Sequence, residues 1–94
     1  MFDKEWDHFY SLFNEIHPAF ISNLKENHPN LSERDFKLCA LILMKFTSKD
    51  IATLFGISVS SVKIARHRLK KKLHLESNEK VLDRLLEISK VTTT

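Results

Sequence analysis

The sequence predicts an all-α fold, and three observations carry that prediction. Only one glycine and two prolines occur in 94 residues, too few for the turns of a β architecture. Apolar residues recur at three- and four-residue steps along most of the chain, the period of a helix lying on a core. Hydrophobic residues make up 43% of the chain, which permits a packed core and excludes a disordered chain. The length allows one domain with a helical appendage, not two independent cores.

The first helix is expected over residues 3–16, where Trp6, Phe9, Leu12, Phe13 and Ile16 form one apolar stripe. Pro18 ends it, because the residue before a proline is driven away from helical angles. A short helix near 19–25 offers Phe20, Ile21 and Leu24. The segment NHPNL then reads as a connection, with Pro29 and Asn30 as turn residues. Ser32 and Asp35 make a near-capping box, Asp replacing the usual Glu, which opens a helix reaching about Met44. Its LCALILM run is apolar on all sides and demands burial on two faces. The aromatic stripe within residues 1–28 is the natural cover for the second face, docked on the domain or stacked on another protomer.

Thr47 or Ser48 caps the next short helix, 49–55, whose Ile51, Ala52, Leu54 and Phe55 face inward. Gly56 follows at once and is expected to take a left-handed angle that closes that helix. Ile57 plugs inward, and Ser58 caps a longer helix over 58–73. Residues 75–78 lead to a last helix at about 79–90. Its Val81, Leu82, Leu85, Leu86 and Ile88 make a stripe wider than packing on a small domain requires. The terminal VTTT has nothing to anchor it and is expected to fray.

Charge is distributed unevenly. The net charge is +3, but residues 1–44 carry −3, residues 45–74 carry +7 and residues 75–94 carry −1. A basic segment in an otherwise slightly acidic chain is the electrostatic footprint of a nucleic-acid binder, although a solvated helix face has the same composition. A helical wheel of 58–73 places Val62, Ala65, Leu69 and Leu73 toward the core. Ser60, Lys63, Ile64, His67 and Lys71 fall on the opposite face, with Arg66, Arg68 and Lys70 at the boundary. Ile64 is the informative residue: an apolar β-branched group among cations suits a thymine methyl in a major groove. Its bland reading is one stray surface isoleucine. Lys63 and His67 stand beside it, ready to donate to base edges. Ser60 and Ser61 occupy the first turn, where free N–H groups and the helix dipole favour an anion. Lys49 can reach the opposite backbone wall.

Other chemistries find little support. One cysteine, Cys39, excludes an internal disulfide, fits a reducing compartment and reads as a small buried hydrophobe. The five histidines have no spacing that gathers three ligands on one helix face, so neither a metal site nor a cofactor is expected. No set of nucleophile, base and oxyanion donors can be assembled, and the expectation is a protein that is not an enzyme. The acidic, amphipathic start is not a signal peptide, and no apolar run is long enough to span a bilayer. A cytoplasmic location without membrane contact by this segment is expected.

The stretch from Leu31 to Leu75, LSERDFKLCALILMKFTSKDIATLFGISVSSVKIARHRLKKKLHL, resembles the LuxR/GerE-type helix-turn-helix domain of bacterial transcription regulators. The family's opening "LTxRE" appears as LSERD, its "SxKEIAxxLGIS" as TSKDIATLFGIS, and its "TVKxHxxxxxxKL" as SVKIARHRLKKKL. The "VxxARxRLKKKL" variant, preceded by an aromatic helix and an "HP" pair, is similar to output domains from Bacteroidetes-like bacteria. The resemblance implies a four-helix helix-turn-helix domain over 30–94, with residues 1–29 as an N-terminal extension of one or two helices packed on it. It implies base contacts by Lys63, Ile64 and His67. It also implies a dimer contact on the last helix, which falls on Val81, Leu82, Leu85 and Leu86. Three residues depart from the family pattern: Lys45 stands at a usual Gly, Ala65 at a frequent His, and His74 at the Gly that commonly ends the recognition helix. The first demands a different turn closure, and the last leaves the recognition helix free to run on or close less sharply.

The resulting expectation is sequence-specific binding of double-stranded DNA in transcription regulation, with helix 58–73 in the major groove. Lys49, Ser60, Ser61, Arg66, Arg68, Lys70 and Lys71 would act chiefly on phosphates. The partners implied are double-stranded DNA, a second copy at least on DNA, and RNA polymerase. The chain would be a stand-alone regulator or the output domain of a larger sensor. Two alternatives share features of the sequence. A sigma-factor promoter-recognition domain carries the same "IAxxLGIS…SVK…R…LKKKL" pattern. A protein-interaction module would use the N-terminal aromatic and C-terminal apolar helices.

Overall fold

Six helices account for most of residues 3–76 and 78–91, which are the residues described by the computed structural model. They are α1 (Asp3–Ile16), α2 (Phe20–Asn27), α3 (Glu33–Leu43), α4 (Ser48–Phe55), α5 (Val59–Lys72) and α6 (Val81–Val91). The described residues contain no strand, so the fold is all-α. Of the terminal VTTT, Val91 ends α6 and Thr92, Thr93 and Thr94 lie outside the described residues.

Helix starts follow side-chain chemistry. Ser32 accepts from the Asp35 N–H at 3.2 Å while the Asp35 carboxylate accepts from the Ser32 N–H at 2.9 Å, a full capping box at α3. Thr47 and Asp50 repeat the arrangement at α4, both bonds at 3.1 Å. α2 starts at Phe20, one residue later than the pattern indicates, because Ala19 sits at a left-handed φ of 71°. α6 starts at Val81 rather than 79. Glu79 is drawn into the preceding turn, where its carboxylate accepts from the Glu76 N–H at 2.7 Å and pairs with Arg84 at 3.3 Å.

Three consecutive helices end in the same way. After α4, Gly56 at φ 68° lets its N–H reach the Thr53 carbonyl, and the Ile57 N–H reaches that of Ala52. This paired closure is a Schellman motif. After α3, Lys45 at φ 66° donates to Ile42 and Phe46 donates to Leu41. After α5, His74 at φ 60° donates to Lys71 and Leu75 donates to Lys70. The recognition-helix candidate therefore neither runs on nor closes loosely: the backbone bonds hold His74 at an angle that glycine adopts freely, despite the Cβ strain of that conformation.

One apolar cluster runs from Phe13 to Ile88. α3 is its centre, with Phe36 and every residue from Leu38 to Leu43 buried. α6 packs on α2, α3 and α5, and α4 packs on α5. α1 closes the far side through its rings: Phe13 meets Phe20 edge-on at 5.6 Å, and Phe9 meets Phe46 edge-on at 5.6 Å. The inward set of α1 differs from the expected stripe. With Trp6, Phe9, Tyr10 and Phe13 turned to the protein, Leu12 is rolled about 100° from Phe13 and lies in solvent, 48% exposed. Ile16 falls within about 20° of Phe9 around the helix, yet at the last position of α1 it is 58% exposed. Cys39 is fully buried among α3's apolar neighbours, and that burial, with Asp35 nearby, pushes its thiol up to about 12.

Candidate nucleic-acid interface

α4, the Gly56 closure and α5 form a helix–turn–helix in the plain geometric sense. A Cβ at Gly56 would meet nothing within 4 Å, so the glycine is required by its angle and not by crowding. Ser58 then caps α5, accepting from the Ser61 N–H at 3.1 Å. Its hydroxyl also bonds the Ser61 hydroxyl at 2.9 Å and lies 3.1 Å from that of Ser60, so the first turn carries a small network of exposed hydroxyls.

α5 is anchored by few residues. Val62, Leu69 and, just past its end, Leu73 are fully buried, and Ala65 is half-buried beside them. The opposite side is solvent-exposed over Ser60, Lys63, Ile64, His67 and Lys71. Ile64, at 54% exposure, is one of four large apolar residues exposed among the described residues. The structure thus brings Lys63, Ile64 and His67 onto one open face, with Ser60 and Ser61 at its N-terminal end. Arg68 is exposed on one flank, while Arg66 and Lys70 are half-buried on the other. Burial lowers the Arg66 guanidinium from its usual value, but the group stays charged at neutral pH. Lys49 is exposed at the start of α4.

The last helix separates into two pairs. Val81 and Leu85 are sealed in the protomer's own core, 7% and 0% exposed, whereas Leu82 and Leu86 are half-buried at its edge. A second chain would meet only the latter pair in this conformation.

Two features emerge from the fold alone. Lys72 reaches Asp35 at 2.7 Å and ties the end of α5 to the start of α3. Burial opposes the Asp35 charge, yet hydrogen bonds from Lys72 and Ser32 outweigh it and hold the carboxyl below its usual range. Beside this pair a half-open groove runs between the start of α3 and one flank of α5, lined in part by Arg34, Ser61, Ile64 and Arg68. Arg34 sits with its guanidinium 5.0 Å from the centre of the Phe55 ring. Sequence spacing gives no sign of Arg34 here, since it lies 30 residues before Ile64.

No known family profile matches the chain, and no solved structure matches it. It is similar to the response regulator protein TodT of Pseudomonas putida, with 33% identity over 57 residues. That alignment covers 61% of this chain and 25% of the relative. It is also similar to the response regulator protein TmoT of Ectopseudomonas mendocina, 35% identical over 57 residues, covering 61% of this chain and 26% of the relative. The chain therefore spans about a quarter of the length of the curated relatives it matches. No helix among the described residues is long and apolar enough to cross a membrane. An all-helical chain with homology to response regulators is what these observations establish.

Proposed function

We propose that this chain is a sequence-specific double-stranded DNA-binding domain of the LuxR/GerE type, acting in transcription regulation. The observation that carries the reading is the exposed Ile64 between Lys63 and His67, on the open face of a helix capped by a serine and entered through a glycine turn. In this reading α5 lies in the major groove, and Lys63, Ile64 and His67 meet base edges. Ser60, Ser61, Lys49, Arg66, Arg68, Lys70 and Lys71 fix its register on phosphates. Similarity to response regulators supports a regulator over a sigma factor. Within such a regulator this segment is the DNA-contacting part, paired on adjacent half-sites through Leu82 and Leu86.

Selection of bound duplexes from a random pool, followed by a salt titration, tests the reading. A defined site should emerge, and binding should weaken steeply with salt. Ile64→Ala should cost about 1–3 kcal/mol at that site and little on random DNA. Equal losses on both duplexes would remove the base contact, and failure to enrich any site would sink the function.

A further inference from the structure

The groove between α3 and α5 carries a feature that the recognition helix alone does not explain. Three cations line it, Arg34, Arg68 and Lys72, against one carboxylate, Asp35. Asp35 is already paired: Lys72 at 2.7 Å and the Ser32 N–H at 2.9 Å both bond its Oδ2, the second closing the capping box of α3. Arg34 and Arg68 appear in none of the ion pairs of the described residues. Two guanidinium groups therefore face one groove whose lining carboxylate is already paired with Lys72, leaving the lining with an excess of positive charge.

The hydroxyls point the same way. The Ser61 hydroxyl accepts the Ser58 proton, which leaves its own proton free to donate into the groove. Arg34 lies with its guanidinium 5.0 Å from the centre of the Phe55 ring and joins no ion pair of the described residues, so its N–H donors face the groove with no carboxylate of their own. Planar, paired donors of this kind match the oxygens of a phosphate.

Docking geometry supplies the ligand. A helix with its side chains is about 10–12 Å across and the B-DNA major groove is about 12 Å wide, so a seated helix meets the sugar–phosphate walls with its flanks. Ser61 and Arg68 lie on the flank of α5 that faces the groove, and Ile64 lies at its lip. We propose that this groove seats one backbone phosphate of the bound duplex between Arg34 and Arg68, so that α3 shares the DNA interface with α5. The proposal rests on α5 entering the major groove.

The experiment uses the full chain and a duplex carrying its selected site. Arg34→Gln should lower affinity roughly tenfold on selected and random DNA alike, and reduce the salt slope by about one unit. Ethylation interference should show one phosphate per bound domain whose modification blocks the wild type and no longer matters to the variant. Arg68→Gln, which leaves the Arg34–Phe55 contact intact, should erase the same phosphate. Unchanged affinity and slope in Arg34→Gln, with Ile64→Ala still selective, would overturn the shared seat while leaving the reading of α5 in place. Different phosphates erased by the two arginine variants would also overturn it. A wild-type chain that selects no site would defeat both.

Discussion

α3 and α5 are joined by one ion pair, Asp35 to Lys72, and are built in opposite ways. α3 buries seven of its eleven residues, whereas α5 buries Val62 and Leu69 of its fourteen. One helix is wrapped on both sides by its own chain. The other is held along a narrow line, with a cationic face turned outward. The difference teaches where each kind of mutation should register: changes in α3 should act on folding, and changes on the outer face of α5 on binding.

The sharpest way to break that contrast is to truncate α3. Leu41 is 1% exposed, and Leu41→Ala should destabilise the fold by about 2–5 kcal/mol in urea melts. Ile64→Ala should change the same melt by less than about 0.5 kcal/mol. Equal effects would mean that the Ile64 face is packed in solution. A smaller loss is expected at the turn that aims α5. Gly56→Ala, strained by angle with no clash, should cost about 1–2 kcal/mol. Its affinity for DNA should fall further than stability alone requires if the turn sets the helix direction.

The two non-glycine closures predict the reverse sign. Lys45→Gly and His74→Gly relieve a positive φ but loosen the unfolded chain, and each should stabilise by about 0.5–1 kcal/mol. A loss at either position would show that its side chain is held by contacts worth more than the strain.

The smallest effect concerns the link between the two helices. Asp35 is held below the ordinary carboxylate value of 3.8, so its contribution is present above that value and fades as pH falls through the lower folded value. Asp35→Asn should therefore be less stable than wild type at neutral pH, with the gap closing in acid. A gap constant down to the lowest pH would assign the loss to the cap and not to the charge.

Much of the fold was legible because local chemistry dictates it. Ser32 with Asp35, Thr47 and Ser58 announce helix starts, and Gly56 announces the turn, since each acts through atoms within a few residues. The outer face of α5 was legible for a similar reason: helical periodicity alone separates Val62 and Leu69 from Lys63, Ile64 and His67. The expected stripes of α1 and α6 were only partly realised. Periodicity states that a face is apolar, not how the helix is rolled or what covers it. Leu12 and Ile16 accordingly ended in solvent, and Leu85 in the protomer's own core.

Helix identity, helix limits and the segregation of charge on α5 thus belong to the amino-acid order, because hydrogen bonds near in sequence and a 3.6-residue period suffice for them. Tertiary structure alone decided that Asp35 would meet Lys72 and that Arg34 would face Arg68 across a groove. Each of these depends on where separate helices cross, which is set by the fit of Phe13, Leu41, Leu69 and Leu85 in a shared core and leaves no periodic trace in the chain.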